Sequence, residues 1–198
     1  MIWEARTTGT ETSSFVSLDR GEFDRWIVLH TKSRQEKAIA RHLEAAKCQF
    51  YLPLVDRVTL VRGRKLRSRV PLFPGYVFLF GERDDAFDAV STKRVCQILA
   101  VPDQARFEHE LAQIAGALNK GAELDLYPFA VEGRRCRIIK GPFAGLEGTV
   151  VRRKSQTEIV LHVGILGRGA AMEIDADFLE PLNRDEIDVR NTSPHHAS

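Results

Sequence analysis

The sequence predicts an α+β chain in two parts, a ferredoxin-like α/β sandwich followed by a small SH3-like β-barrel. Strand and helix periods alternate in the order β-α-β-β-α-β through the first part. Short β-branched runs punctuated by glycine fill the second. Between them, residues 119–130 contain Gly121 and Pro128 and lack a clear apolar period, which marks a linker. On this reading 1–22 and 183–198 are flexible tails, 23–118 is the first domain and 131–182 the second.

Trp26 to His30 is a β-branched apolar run, and the helix after it is marked by Ile39, Leu43 and Ala46 at spacings of four and three. Its polar side carries Lys32, Arg34, Lys37, Arg41 and Lys47 against Glu36 and Glu44. By itself such a face is the ordinary solvated side of an amphipathic helix. Val55–Val61 and Leu66–Val70 then flank Arg62-Gly-Arg-Lys65, the pattern of a protruding hairpin. From Arg57 to Arg69 there are six basic residues (Arg57, Arg62, Arg64, Lys65, Arg67, Arg69) and no acid. A charged hairpin edge can serve merely to resist aggregation, but uncompensated charge of this density favours contact with phosphates.

In Pro71-Leu-Phe-Pro-Gly-Tyr-Val-Phe-Leu-Phe80 two prolines and a glycine fix an extended entry, and Tyr76, Phe78 and Phe80 project to one face of a strand. A helix over Asp84–Thr92, a strand over Val95–Val101 and a third helix carrying Phe107, Leu111, Ile114 and Leu118 complete the first domain. In the second, Cys136–Ile139, Gly148–Arg152, Glu158–Val163 and Ala170–Ile174 are the expected strands. Gly141, Gly145 and Gly148 are expected to permit positive φ in the first loop of the barrel.

Composition narrows the function. A formal charge of +2 arises from 29 basic and 27 acidic residues, so affinity for nucleic acid has to come from local clustering. Cys48, Cys96 and Cys136 are widely spaced and lie in apolar surroundings, as expected of buried thiols in a reducing compartment. No run approaches the ~18 apolar residues of a membrane helix, and the N-terminus lacks a secretory pattern. The expectation is a cytoplasmic monomer that does not engage membranes. There is no phosphate loop, Gly-x-Ser-x-Gly or His-Glu-x-x-His, so neither catalysis, nor a metal, nor a cofactor is expected.

Trp26-Ile-Val-Leu, the helix entry from Lys32 to Glu36 and above all Pro71-Leu-Phe-Pro-Gly-Tyr-Val-Phe78 resemble the N-terminal domain of the NusG/RfaH group of transcription elongation factors. Gly141-Pro-Phe-Ala-Gly-Leu-Glu-Gly148, within Gly133–Val150, resembles a KOW motif. The likeness covers Trp26 to Leu182. A KOW motif alone also occurs in ribosomal proteins and other RNA binders, whereas the Leu-Phe-Pro-Gly-Tyr segment is far more specific.

The resemblance implies an elongation and antitermination factor that reduces pausing or termination. Its first domain would grip the clamp helices of the largest subunit of RNA polymerase through Phe73, Pro74, Tyr76 and Phe78, of which alternation puts Tyr76 and Phe78 on one face. Lys32, Arg34, Gln35, Lys37, Arg41 and His42 would meet the non-template DNA strand, with Arg62, Arg64 and Lys65 of the hairpin as further nucleic-acid contacts. The barrel would recruit a small-subunit ribosomal protein or Rho through Phe143, Ile165 and Leu166, with Arg168 at the rim, although Ile165 equally fits packing inside the barrel. The compact hairpin and the Leu72-Phe-Pro spelling are closer to specialised paralogues than to the housekeeping factor. Glu82-Arg-Asp-Asp-Ala86 lacks the His-Thr-Thr sequence with which RfaH touches the opposite wall of the channel, while Val163-Gly-Ile-Leu-Gly-Arg168 looks like the housekeeping barrel. The alternative is a ribosome-associated RNA-binding protein, which would leave the aromatic strand unexplained.

Overall fold

The computed structural model describes residues 25–127, 133–153 and 156–182, so both tails and Pro128–Ala130 of the linker lie outside the described residues. The chain divides into two compact units, Met1–Glu108 and His109–Ser198. The division falls inside the third helix rather than after it.

The first unit runs β1 (Arg25–Thr31), α1 (Glu36–Ala45), β2 (Gln49–Tyr51), β3 (Leu54–Val61), β4 (Arg64–Pro71), β5 (Tyr76–Gly81), α2 (Arg83–Ser91) and β6 (Val95–Ala100), and ends in the first turn of α3 (Gln104–Asn119). An antiparallel sheet in the order β2-β5-β1-β6 has the ferredoxin-like arrangement, and β3–β4 stands apart as a two-stranded sheet inserted between β2 and β5.

Alternation along β1 and β5 decides both faces of the sheet. Ile27 opposite Leu79 and Leu29 opposite Val77 face α1 and α2, where Ile39, Leu43, Ala86 and Ala89 close an aliphatic core. The other face is aromatic. Trp26 meets Phe80 edge-on at 5.3 Å and Phe107 at 6.0 Å, while Phe78 contacts the rings of Phe107 at 5.6 Å, Phe73 at 6.1 Å and Tyr51 at 6.3 Å. Burial here pushes the Tyr51 phenol well above its usual pKa. Gln104 ties the start of α3 to the end of β1: its Oε1 accepts the Trp26 N–H at 2.6 Å and its Nε2 donates to the Trp26 carbonyl at 3.0 Å.

Two local expectations change. The helix begins at Glu36, because Lys32–Gln35 close a turn in which the Gln35 N–H donates to the Lys32 carbonyl at 3.1 Å. The cysteines are not uniformly buried: Cys136 is, Cys48 is half-buried and Cys96 is exposed on β6, where it is the extra residue of a bulge, since Thr31 pairs with Val95 and His30 with Gln97.

In the second unit β7 (Asp125–Tyr127), β8 (Arg134–Ile138), β9 (Glu147–Arg153), β10 (Gln156–Val163), β11 (Arg168–Glu173) and β12 (Leu179–Pro181) form an antiparallel, barrel-like sheet in the order β12-β8-β9-β10-β11-β7. Ile138, Leu146, Ile159, Leu161, Val163 and Ala170 are buried in it. Part of the stretch expected as linker is therefore strand: Leu126 pairs with Ala170. Gly141 and Gly145 take φ of 78° and 92° as expected. Gly148 has another reason to be glycine, for a Cβ there would lie 2.5 Å from the Val160 carbonyl oxygen. The rest of α3 belongs to this unit, where the Gln113 amide pairs with the main chain of Glu147 at 2.9 and 3.0 Å.

Phe78→Ala is expected to destabilise the protein by about 3–5 kcal/mol, read from urea unfolding followed by tryptophan fluorescence. In timed iodoacetamide labelling at pH 8, Cys96 is expected to react first by mass spectrometry. Cys48 should lag, because burial and the Asp85 and Asp88 carboxylates push its thiol up to about 11 and leave little nucleophilic thiolate.

Candidate partner and nucleic-acid surfaces

The Phe73–Tyr76 turn is held from three sides. The Leu72 N–H donates to the Pro53 carbonyl at 2.8 Å, the Thr31 N–H to the Gly75 carbonyl at 2.8 Å, and the Tyr76 N–H to the Phe73 carbonyl at 3.2 Å. The Gly75 N–H donates to Glu36 Oε1 at 2.7 Å. Gly75 has φ of 87°, a backbone conformation that suits glycine, and a Cβ there would only touch the His30 ring at ordinary contact distance, so it is the backbone that calls for glycine. Glu36 is only 5% exposed, so the residue that looked like one acid on a basic helix face is a buried support for this turn. Nothing local in the sequence pairs it with Gly75.

Of the four residues expected to bind polymerase, the structure puts two at the surface. Pro74 is exposed, and Tyr76 is half-buried with its ring stacked on His30 at 5.0 Å. Phe73 and Phe78 are 1% and 0% exposed, so as placed here they are core rather than contact residues. Phe78 shares the face of Tyr76, as alternation predicts, and Phe107, from a distant segment, packs against Phe78 there.

On the basic helix side, Lys32, Arg34 and Arg41 are exposed and Lys37 is half-buried. Gln35 accepts the Arg94 Nε–H at 3.2 Å and the Lys32 N–H donates to the Arg94 carbonyl at 2.8 Å, which brings the α2–β6 turn, with Lys93 and Arg94, beside the start of α1. Sequence reasoning missed these two cations because only tertiary pairing puts the turns together. His42, expected among the nucleic-acid contacts, has its Nε2 2.8 Å from Asp88 Oδ2, so its ring bridges α1 to α2. Among the described residues, the non-glycine positions with positive φ are Arg34, Lys47, Arg62 and Lys93, all cationic. Asn or Gly would be easier at each.

Arg62, Arg64 and Lys65 are exposed, and they lie on the β3–β4 ribbon rather than on the helix. In the barrel, Gly164–Leu166 form a single 3-10 turn closed by Gly167 at φ of 58°. The Gly164 N–H donates to Glu110 Oε2 at 2.8 Å. Ile165, Leu166, Phe143 and Arg168 are all half-buried. Ile139, which sequence reasoning passed over as a strand residue, is 45% exposed beside Phe178, whose carbonyl accepts its N–H at 2.8 Å. Among the described residues no cluster of His, Cys, Asp and Glu could hold a metal ion, and no helix is long and apolar enough to cross a membrane.

Residues 24–115 match the family model described as transcription termination factor nusG, and residues 132–162 match that of the KOW motif. The transcription termination/antitermination protein NusG of Thermus thermophilus is 26% identical over 176 residues, covering 76% of this chain and 94% of its own. That of Neisseria meningitidis serogroup B is 28% identical over 178 residues, covering 80% and 98%. A solved structure described as "Domain interaction in Thermotoga maritima NusG" aligns with a TM-score of 0.45 at 21% identity, over 81% of this chain and 98% of that one. A NusG N-terminal domain followed by a KOW motif defines a transcription termination and antitermination factor. Residues 24–115 belong to the NusG family, and residues 132–162 carry the KOW motif that follows.

Glu36→Ala is expected to orphan the Gly75 N–H, at a cost of about 1–3 kcal/mol. Hydrogen exchange should show faster exchange at Gly75 and Tyr76, with the aliphatic core of the sheet still protected.

Proposed function

We propose that the chain binds RNA polymerase through its first unit, reduces pausing or termination, and recruits a small-subunit ribosomal protein or Rho through its barrel. The observation that carries this reading is the anchored turn that presents Pro74 and the stacked Tyr76–His30 rings at the surface. Aromatic groups held rigid before binding lose little freedom in the complex and are the usual carriers of interface energy. The clamp helices of the polymerase's largest subunit would pack on this turn, with Phe73 and Phe78 stiffening it from beneath.

Lys32, Arg34, Lys37 and Arg41, joined by Lys93 and Arg94, support contact with the phosphates of the non-template strand. Phe143, Ile165 and Leu166, with Arg168 at their rim and Ile139 added, are the apolar groups through which the barrel would take its partner. The compact β3–β4 insertion and the Leu72-Phe73-Pro74 spelling support a specialised paralogue, which on this reading would act in the cytoplasm as a monomer.

Tyr76→Ala tests the reading without emptying the core. Binding of the purified variant to core RNA polymerase is expected to weaken by ~2 kcal/mol or more, roughly thirtyfold, with an unchanged unfolding midpoint. Wild-type affinity in the folded variant would remove Tyr76 from the interface. Failure of the unmodified protein to bind polymerase, together with sedimentation on a ribosomal subunit, would support the ribosome-associated alternative.

A further inference from the structure

We propose that the β3–β4 ribbon is an arm that enters the major groove of duplex DNA. The two eight-residue strands pair only with each other, from Leu54 opposite Pro71 to Val61 opposite Arg64. From Asp56 to Arg69 every residue is exposed, so both faces stand in solvent. Isolated two-stranded ribbons are marginal in water. Yet this one spends exposed positions on Val58, Leu60, Val61 and Leu66, which are 57%, 70%, 47% and 57% exposed.

The register separates two kinds of side chain across the ribbon. Val58 is opposite Arg67, Leu60 opposite Lys65 and Val61 opposite Arg64, so β3 carries most of the aliphatics and β4 most of the cations. Partners in a pair share a face, and each face therefore has both characters. The aliphatic row on one face, Val58 and Leu60, is short and is bordered across the ribbon by Lys65, Arg67 and Arg69. The ribbon suits a surface that is anionic at its walls and partly apolar at its floor. The major groove of B-DNA admits a two-stranded ribbon, its walls are phosphate and its floor carries thymine methyls.

Other nucleic acids fit less well. Single strands are gripped by stacking bases on aromatic rings, and no aromatic residue occurs between Leu54 and Pro71. The major groove of A-form RNA is too deep and narrow for side chains to read. The tip adds a second argument. Arg62 and Gly63 take φ of 49° and 78°, the two-residue turn in which Asn-Gly is favoured. An arginine holds the left-handed position against that preference and points a charge off the end of the arm, a strained choice of the kind found at functional sites.

The test uses the full chain and a labelled 20-base-pair DNA duplex, with binding read by fluorescence anisotropy from low to moderate salt. The single strand and an RNA duplex of the same length serve as competitors. Arg62→Asn with Arg64→Thr and Arg67→Thr keeps residues that suit the turn and the strands while removing three charges. It is expected to weaken duplex binding at least tenfold and to flatten the slope of log affinity against log salt by about three. Leu60→Thr with Leu66→Thr should weaken binding with the slope unchanged. Retained hairpin amide protection in hydrogen exchange confirms that the variants still form the ribbon.

Wild-type affinity and slope in the triple variant, or competition by the single strand or the RNA duplex as effective as that of DNA, would overturn the proposal. It is independent of the polymerase reading. Tyr76→Ala is expected to bind the duplex like the unmodified protein, whatever becomes of its polymerase affinity.

Discussion

The pairing of β1 with β5 is the constraint on which the first unit depends. Trp26, Val28 and His30 stand opposite Phe80, Phe78 and Tyr76 on one face, and Ile27 and Leu29 stand opposite Leu79 and Val77 on the other. Each face is buried against a different layer, aromatic on one side and aliphatic on the other. A slip of one residue would send every ring into the helices and every aliphatic chain to the opposite side, so the register is fixed by both faces at once. Because it is fixed, the strand delivers Tyr76 beside His30 at the end of the sheet, where the backbone leaves the ladder and a partner can reach it.

The surfaces of interest centre on connections: the Phe73–Tyr76 turn, the β1–α1 and α2–β6 turns, the tip of the hairpin and the 3-10 turn of the barrel, with Lys37 and Arg41 of α1 beside them. Loops carry recognition because the scaffold holds their ends while sequence constraints on them are weak. Apart from the hairpin, each of these is nevertheless anchored by a specific polar contact. Glu36 holds Gly75, Arg94 engages Gln35 and Lys32, and Glu110 holds Gly164. The anchors come from elsewhere in the sequence.

That distance explains what was legible in the sequence and what was not. The strands β1 and β5, the three helices and the hairpin were readable because their signals are local: period, prolines, a Gly-containing turn. The order of the sheet followed from the succession of elements. Unreadable were β7 and β12, three residues each and held only by pairing with β11 and β8. So were the burial of Phe73 and Phe78, which depends on Phe107 and other rings arriving from distant segments, and the commitment of His42 to Asp88, 46 residues away. Charge added only that the hairpin is a concentrated basic surface. It could not separate an ornamental acid such as Glu44 from a structural one such as Glu36, because the two differ only in what the fold puts over them.

The hairpin leaves the sheet after β2 and returns before β5, and Leu72 closes its base by donating to the Pro53 carbonyl at 2.8 Å. The four-stranded sheet is thus complete without it. Lengthening or shortening such an excursion costs only the slowly growing entropy of closing a longer chain, roughly 0.6 kcal/mol per doubling. Such an arm can be resized or re-lettered with little penalty to the core, so its tip is free to change character while the register that holds the Phe73–Tyr76 turn stays the same.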